Sequence, residues 1–199
     1  MATLREQLAL VSKRMFERKL TDIAGGNISA RDGDQMVCSP RYSGSLYHWQ
    51  LEPAQFISGA IDSDEILDNP LFSREGKAHL AIYRNFPEVK AVIHAHSFNI
   101  QPFAAACRPI PSVLEANDKF GTIPVVRQAP AHSRELADNV VEGLRGQQER
   151  MRLHAAAVLL PRHGIIVAGK SLMATIDALE RIDWNCWCII AGHLIETGK

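Results

Sequence analysis

Residues 89–96 read Val-Lys-Ala-Val-Ile-His-Ala-His, and this stretch decides how the rest of the sequence is interpreted. It follows the turn residue Pro87, is rich in Val and Ile, and predicts a buried strand that ends in two histidines. Side chains at positions i and i+2 of a strand leave the same face, with Cα atoms roughly 6.6 Å apart. His94 and His96 can therefore converge on one metal ion. Taken alone, the pair is more simply interpreted as ordinary strand-end histidines.

A third histidine lies between two later predicted strands. Residues 155–160 and 164–168 are apolar and flank Pro161-Arg162-His163. His163 is a plausible third ligand for the same metal. Three protein ligands leave a fourth position open, which distinguishes a catalytic zinc site from a closed structural one.

Hydrophobic periodicity and capping residues predict the other main elements. They are a helix over 3–20, a short strand over 36–38, a helix over 74–85 capped by Ser73, a helix capped by Ser133 and closed by Gly146, and a long helix opened by Ser171. Helices and strands are interspersed, so the α/β class is favoured, although the direction of the strands cannot be read from these residues. No repeat, low-complexity run or linker divides the sequence, so we expect one domain over residues 1–199.

Composition argues against several classes of function. The 199 residues carry 22 Lys and Arg against 22 Asp and Glu, so a net charge of +0 gives no general attraction to nucleic acid or anionic membrane. No apolar stretch approaches a membrane span, and no secretory signal is recognisable at the N-terminus. A chain of this size with four cysteines does not need disulfides, so we expect a reduced, cytoplasmic protein.

Several polar residues have both a structural and a functional interpretation. Glu75, in the first turn of its helix, can be a helix-dipole partner, a general base, or a metal ligand that substrate displaces. Asn27, Ser43, Gly44 and Ser73 offer short donors and backbone N–H groups that suit a phosphate. As isolated segments these residues would simply form turns.

Residues 164–171 match the pattern of a nucleotide-binding P-loop, G-x-x-x-x-G-K-[ST]. The four intervening residues, Ile165 to Ala168, are themselves predicted to be a strand, whereas a phosphate cradle is a loop. We therefore interpret this match as a strand followed by a turn and a helix cap. The five other histidines lack partner spacing and carry no predicted function; they are His48, His79, His132, His154 and His193.

Taken in order along nearly the whole chain, these segments resemble the class II aldolase/adducin family. The resemblance rests on Gly25-Gly26-Asn27-Ile28-Ser29, Ser39-Pro40 with Ser43-Gly44, Ser73-Arg74-Glu75, His79 and Tyr83, residues 92–97, and Arg162-His163-Gly164. Each motif is weak alone, and the combination is specific.

The resemblance implies a three-layer α/β/α fold around a largely antiparallel sheet, assembled as a homotetramer with active sites between subunits. It implies that His94, His96 and His163 bind Zn²⁺, with another divalent metal also compatible, and that Glu75 is the catalytic acid/base. Asn27, Ser43, Gly44 and Ser73 match positions that hold the phosphate of the substrate.

The sequence departs from the family pattern at three places. The phosphate loop is extended and contains Arg41, and Arg74 replaces a small hydroxyl residue, so these arginines can supply charge to a phosphate. Glu115 falls in the segment where the aldolases carry a tyrosine that reaches a neighbouring subunit. Family dehydratases acting on methylthioribulose phosphate carry a glutamate in this segment.

From this we predict a zinc-dependent lyase that cleaves a small phosphorylated ketose or related sugar acid through a metal-stabilised enediolate. Aldol cleavage is placed ahead of dehydration, in which Glu115 would move protons to and from a leaving hydroxyl. A non-catalytic, adducin-like assembly module is the alternative from another class. Retention of three histidines and Glu75 argues against it, because a scaffold needs none of them.

Overall fold

A computed structural model describes residues 2–198, which form an open six-stranded sheet with helices on both faces. The strands are β1 (Asn27–Asp32), β2 (Gln35–Cys38), β3 (Ile57–Ala60), β4 (Ala91–Ala95), β5 (Ala155–Leu160) and β6 (Gly164–Gly169). The helices are α1 (Leu4–Glu17), α2 (Ser43–Tyr47), α3 (Gly76–Asn85), α4 (Gln101–Ala105), α5 (Arg134–Leu144), α6 (Gln148–Leu153) and α7 (Leu172–Thr197). Short 3-10 segments occur at Pro53–Gln55, Glu65–Asp68 and Glu115–Phe120.

The strand order is β3-β2-β1-β4-β6-β5, and every neighbouring pair is antiparallel. The strand that carries His94 thus lies in the middle of the sheet, between β1 and β6. Asn27 at the start of β1 is opposite His94, and Ile165 near the start of β6 is opposite Ala95. Because antiparallel neighbours run in opposite directions, the end of β4 meets the loop before β1 and the turn before β6.

Two apolar clusters cover the two faces of the sheet. Ile93 and Ala95 of β4 pack in the cluster that includes α1, α4 and α7. Val92, pointing to the opposite face, packs in the cluster that includes α3, α5 and α6. The three-layer α/β/α architecture with an antiparallel sheet, which the family resemblance implied, is therefore confirmed.

Two of the predicted helix caps are present. The Ser133 hydroxyl oxygen accepts a hydrogen bond from the Leu136 N–H at 3.0 Å, and that of Ser171 accepts one from Ala174 at 3.1 Å. Each cap satisfies an N–H group that the first turn of a helix leaves without a partner.

The segment that matches the P-loop pattern is a paired strand. All of Gly164–Gly169 lies in β6, between β4 and β5. Its N–H groups are consequently engaged in a sheet and do not form a phosphate cradle, as the sequence analysis predicted.

The predicted cap of α3 is wrong. The helix begins at Gly76 rather than Arg74, Glu75 immediately precedes it, and no side chain caps it. The Ser73 hydroxyl is instead engaged by the side-chain amide of Asn27, which donates a hydrogen bond to it at 2.7 Å. A tertiary partner thus takes the hydroxyl that local sequence assigned to the helix.

Within residues 2–198, none of the helices has both the length and the apolar character needed to cross a bilayer. The four cysteines are unpaired; they are Cys38, Cys107, Cys186 and Cys188.

Candidate active site

The three histidines singled out from the sequence meet at one end of the sheet. His94 is in β4, His96 follows that strand, and His163 is in the turn that precedes β6. One nitrogen from each side chain lies within 4.8 Å of one nitrogen from each of the others. The ring centroids are 5.1 Å apart for His94 and His96, and 4.8 Å apart for His94 and His163. This convergence follows directly from the position of β4 between β1 and β6.

The free nitrogens of this triad fit a cation. His94 Nδ1 donates a hydrogen bond to the Ile165 carbonyl oxygen at 3.1 Å, because a carbonyl can only accept. Its Nε2 therefore carries a lone pair, and that atom is buried without a partner, as is Nε2 of His96. Buried polar atoms without partners are costly, and a metal ion would satisfy both.

The protonation of the triad also suits metal binding, which requires neutral imidazole. Burial lowers the pKa of His94 well below its usual range, and the nearby His163 and His96 lower it further. Burial, followed by the charges of His96 and His132, lowers the pKa of His163 to about 4. Both side chains are therefore neutral near pH 7.

Two glycines make room for His96. A Cβ atom on Gly25 would lie 2.4 Å from His96 Cε1. A Cβ atom on Gly164 would lie 2.4 Å from the Ala95 carbonyl oxygen and 3.0 Å from His96 Cδ2. The glycines beside the triad therefore serve close packing against the imidazole.

Asp22 contacts the Nδ1 edge of the His96 ring, whereas Nε2 is the nitrogen without a partner. Its Oδ1 lies 3.2 Å from His96 Nδ1 and accepts hydrogen bonds from the N–H groups of Ala24 and Gly25. Partial burial acts to raise the pKa of Asp22, but His96 and the two N–H groups outweigh it and hold the pKa below its usual value. An ionised Asp22 favours the His96 tautomer with a proton on Nδ1 and a lone pair on Nε2.

Glu75 is a buried carboxyl group beside the triad, only 5% exposed. Its Oε1 lies 3.9 Å from His163 Nδ1 and accepts a hydrogen bond from the His132 N–H at 3.1 Å. Burial raises the pKa of Glu75, although that N–H and the charges of His96, Arg74 and Lys77 oppose the rise. A carboxyl group with a raised pKa is better matched to proton transfer near neutral pH.

Glu75 and the three histidines line one cavity of about 210 Å³. Ser43, Gly44, Ser73 and Arg74, all predicted to bind phosphate, are in its wall. Asn27 is not; it is fully buried and supports the wall through its hydrogen bond to Ser73. The cavity wall also contains the sequence-predicted groups Glu75, His94, His96 and His163.

Glu115 lies apart from this cavity. It is exposed at the start of the 3-10 segment Glu115–Phe120 and is not among the cavity residues of its own chain. The structure of one chain therefore does not bring Glu115 to the triad.

Three residues in or beside the cavity have no role, or only a minor one, in the sequence pattern. His132 was interpreted as a histidine without a partner, and it contacts Glu75. Asp22 was not singled out at all, and Arg41 only as a source of charge in the phosphate loop. The only local sequence signal for Asp22 is its position shortly before the paired glycines. No local sequence signal marks His132.

Comparison with known proteins agrees with this geometry. The family model described as "Class II Aldolase and Adducin N-terminal domain" matches residues 6–190. An L-fuculose phosphate aldolase from Haemophilus influenzae is 30% identical over 185 residues, covering 92% of this chain and 80% of the relative. A 3-oxo-tetronate 4-phosphate decarboxylase from Escherichia coli is 28% identical over 194 residues, covering 91% and 83%.

The fold is shared with solved structures. An L-fuculose-1-phosphate aldolase from Thermus thermophilus superimposes with a TM-score of 0.81 at 17% identity, covering 96% of this chain and 95% of the other. Fold, sequence and cavity together place the protein among the metal-dependent lyases. The chain belongs to the class II aldolase and adducin N-terminal domain family, as its sequence motifs indicated.

Proposed function

We propose that this protein is a zinc-dependent aldolase that cleaves a small phosphorylated ketose or related sugar acid. The observation that carries the proposal is the meeting of His94, His96 and His163 with the buried Glu75 in one cavity. A different divalent metal in the same site would leave the proposal otherwise unchanged.

In this proposal the three histidines hold the metal and Glu75 moves the proton. A divalent cation in such a site acts as a Lewis acid that polarises a carbonyl and stabilises negative charge on neighbouring oxygens. Carbon–carbon cleavage would leave an electron pair on the carbon beside the carbonyl, while the departing carbon becomes an aldehyde and its hydroxyl group gives up a proton. Glu75 would take up this proton and pass a proton to the carbon beside the carbonyl.

Another part of the cavity wall would bind the phosphate. Ser43, Gly44 and Ser73 present short polar groups, and the ten-residue helix α3 begins beside them at Gly76. Arg41 and Arg74 add two cations, and neither forms a salt bridge with a carboxylate in the described part of the chain. Relatives named as acting on phosphorylated substrates support this assignment.

Product analysis tests the reaction. The zinc-loaded enzyme is incubated with ketose 1-phosphates, and the products are identified by NMR. Dihydroxyacetone phosphate plus an aldehyde is the expected result. A diketone phosphate formed without carbon–carbon cleavage would show that the reaction is a dehydration. Glu115 of a neighbouring subunit would then be the residue to test.

Decarboxylation of a sugar-acid phosphate is the second candidate, favoured by the relatives named 3-oxo-tetronate 4-phosphate decarboxylase. Loss of CO₂ from a 3-oxo acid leaves an electron pair on the carbon between the carboxylate and the carbonyl. Where that carbon carries a hydroxyl group, the product is the same type of enediolate that aldol cleavage leaves. The same triad and Glu75 would therefore serve it. Release of CO₂ from a 3-oxo sugar-acid phosphate, without aldehyde, distinguishes the two reactions.

Replacement of Asp22 by asparagine is expected to weaken metal affinity about 10- to 100-fold. The asparagine oxygen still accepts from the Ala24 and Gly25 N–H groups, so the turn persists while the charge that orients His96 is lost. Metal affinity is measured by competition with a chromophoric chelator, and Asp62→Asn, at an exposed position outside the cavity, is the control. Equal affinities for Asp22→Asn and the natural protein would contradict this role.

We also propose a cytoplasmic homotetramer with active sites at subunit interfaces. An apolar groove of about 1110 Å³ runs beside the cavity and includes Phe16, Phe98 and Trp187 together with Asp22 and His96. Phe98 is 67% exposed, and apolar surface of this kind is typical of an interface. A second copy seated here would cover the outer side of the metal site. The unpaired cysteines support a reducing compartment.

The oligomer is tested by light scattering coupled to gel filtration. We expect a mass near that of four chains, and Phe98→Asp should shift it towards smaller species because a charge would then be buried in the interface. Leu71→Asp, at a residue that is 59% exposed and outside the groove, is the control. An active monomer would refute the shared site.

A further inference from the structure

Two nitrogens of His132 approach the same oxygen of Glu75. The backbone N–H donates to Oε1 at 3.1 Å, and the side-chain Nδ1 lies 2.8 Å from that atom. Nδ1 has no aligned hydrogen-bond partner, so its approach to the oxygen is a close contact and not a hydrogen bond. Such misalignment is common in active sites before substrate binds.

The backbone of His132 is in a left-handed conformation at this contact. Its φ is +66°, in the left-handed region that favours glycine and is unfavourable for most other residues. The next residue, Ser133, caps α5 and so anchors the loop that presents His132. Strained residues that persist are concentrated at functional sites.

His132 also belongs to the cavity wall. Its ring centroid is 6.3 Å from that of His163, with the rings nearly perpendicular. Among residues 2–198, no group donates a hydrogen bond to the other carboxyl oxygen of Glu75, Oε2. His132 therefore holds one oxygen of the base and leaves the other free.

We propose that His132 is a positioning residue for Glu75, an inference that rests on the proposed function. Oε2 of Glu75 takes a proton from the carbon beside the carbonyl of a ketose phosphate product, leaving an enediolate; this proton exchanges with solvent, and Oε2 then returns a solvent-derived proton to that carbon. His132 holds Oε1 throughout, and its own proton count does not change. Its contribution is to keep Oε2 aimed at the reacting carbon.

The test uses proton exchange in the product alone. Metal-loaded enzyme is incubated with dihydroxyacetone phosphate in D₂O, and loss of the carbon-bound proton signal is followed by NMR. His132→Gly keeps the backbone N–H and suits the left-handed φ, so it removes only the side chain. His132→Asn restores a side-chain donor on a residue that tolerates the same backbone.

We expect His132→Gly to slow exchange at saturation about 10- to 100-fold, as misplacement of a catalytic group does. The half-saturating concentration should change less than about threefold, because Glu75 acts after binding. His132→Asn should recover part of the lost rate. The control is His48→Gly, since His48 is exposed, has φ +47° and lies outside the cavity.

Three results would overturn the inference. The first is a wild-type exchange rate in His132→Gly, and the second is equal slowing of exchange in His132→Gly and His132→Asn. The third is loss of bound metal in His132→Gly, which would assign His132 to the metal centre. A natural protein that catalyses neither exchange nor cleavage would instead overturn the proposed function.

Discussion

Replacing any one of His94, His96 and His163 by alanine is expected to abolish metal binding while leaving the chain folded. Loss of a supporting residue near a metal typically costs 10- to 100-fold in affinity, so loss of a ligand should cost more than about 100-fold. The fold should persist because the apolar clusters on the two faces of the sheet do not depend on the triad.

Bound metal is measured by elemental analysis after dialysis, and folding by circular dichroism during thermal unfolding. His193→Ala, at the far end of α7, is the matched control and should keep the full metal content. Full stoichiometry in any one of the three triad variants would remove that residue from the ligand set.

Glu75→Gln is expected to keep the metal and to lose turnover. Glutamine preserves the size of the side chain and can still accept from the His132 N–H, but it cannot take up a proton at neutral pH. Removal of a general acid/base typically lowers kcat about 10²- to 10⁴-fold. The rate is measured with the ketose 1-phosphate that the natural enzyme cleaves, at saturating concentration.

Two further measurements make this prediction specific. Metal content should equal that of the natural protein, and exchange of dihydroxyacetone phosphate protons in D₂O should be lost together with cleavage. Glu65→Gln, at an exposed position in the 3-10 segment Glu65–Asp68, is the control. Unchanged turnover in Glu75→Gln would mean that a residue other than Glu75 is the base.

The parts of the fold that depend on neighbouring residues could be predicted from the sequence. Apart from His94, β4 is apolar, so its burial follows from composition, and the placement of His94 and His96 on one face follows from their i, i+2 spacing along an extended chain. The caps of α5 and α7 are local hydrogen bonds from Ser133 and Ser171, and both predictions are confirmed.

Contacts between residues distant in sequence could not be predicted in this way. The Ser73 hydroxyl meets Asn27 across 46 positions, and this contact displaced the predicted cap. His132 reaches Glu75 across 57 positions, and Asp22 meets His96 across 74. These pairings depend on the antiparallel strand order, which the residues alone did not reveal and the family resemblance implied.

Elemental analysis of the purified protein tests the central claim most directly. The chain is purified without added metal, and a second sample is incubated with Zn²⁺ and dialysed. We predict one divalent metal ion per chain, bound on purification or taken up on incubation, and its loss in the His94→Ala variant. A natural protein that binds no divalent metal and takes up none would contradict the assignment of His94, His96 and His163 as a catalytic metal site.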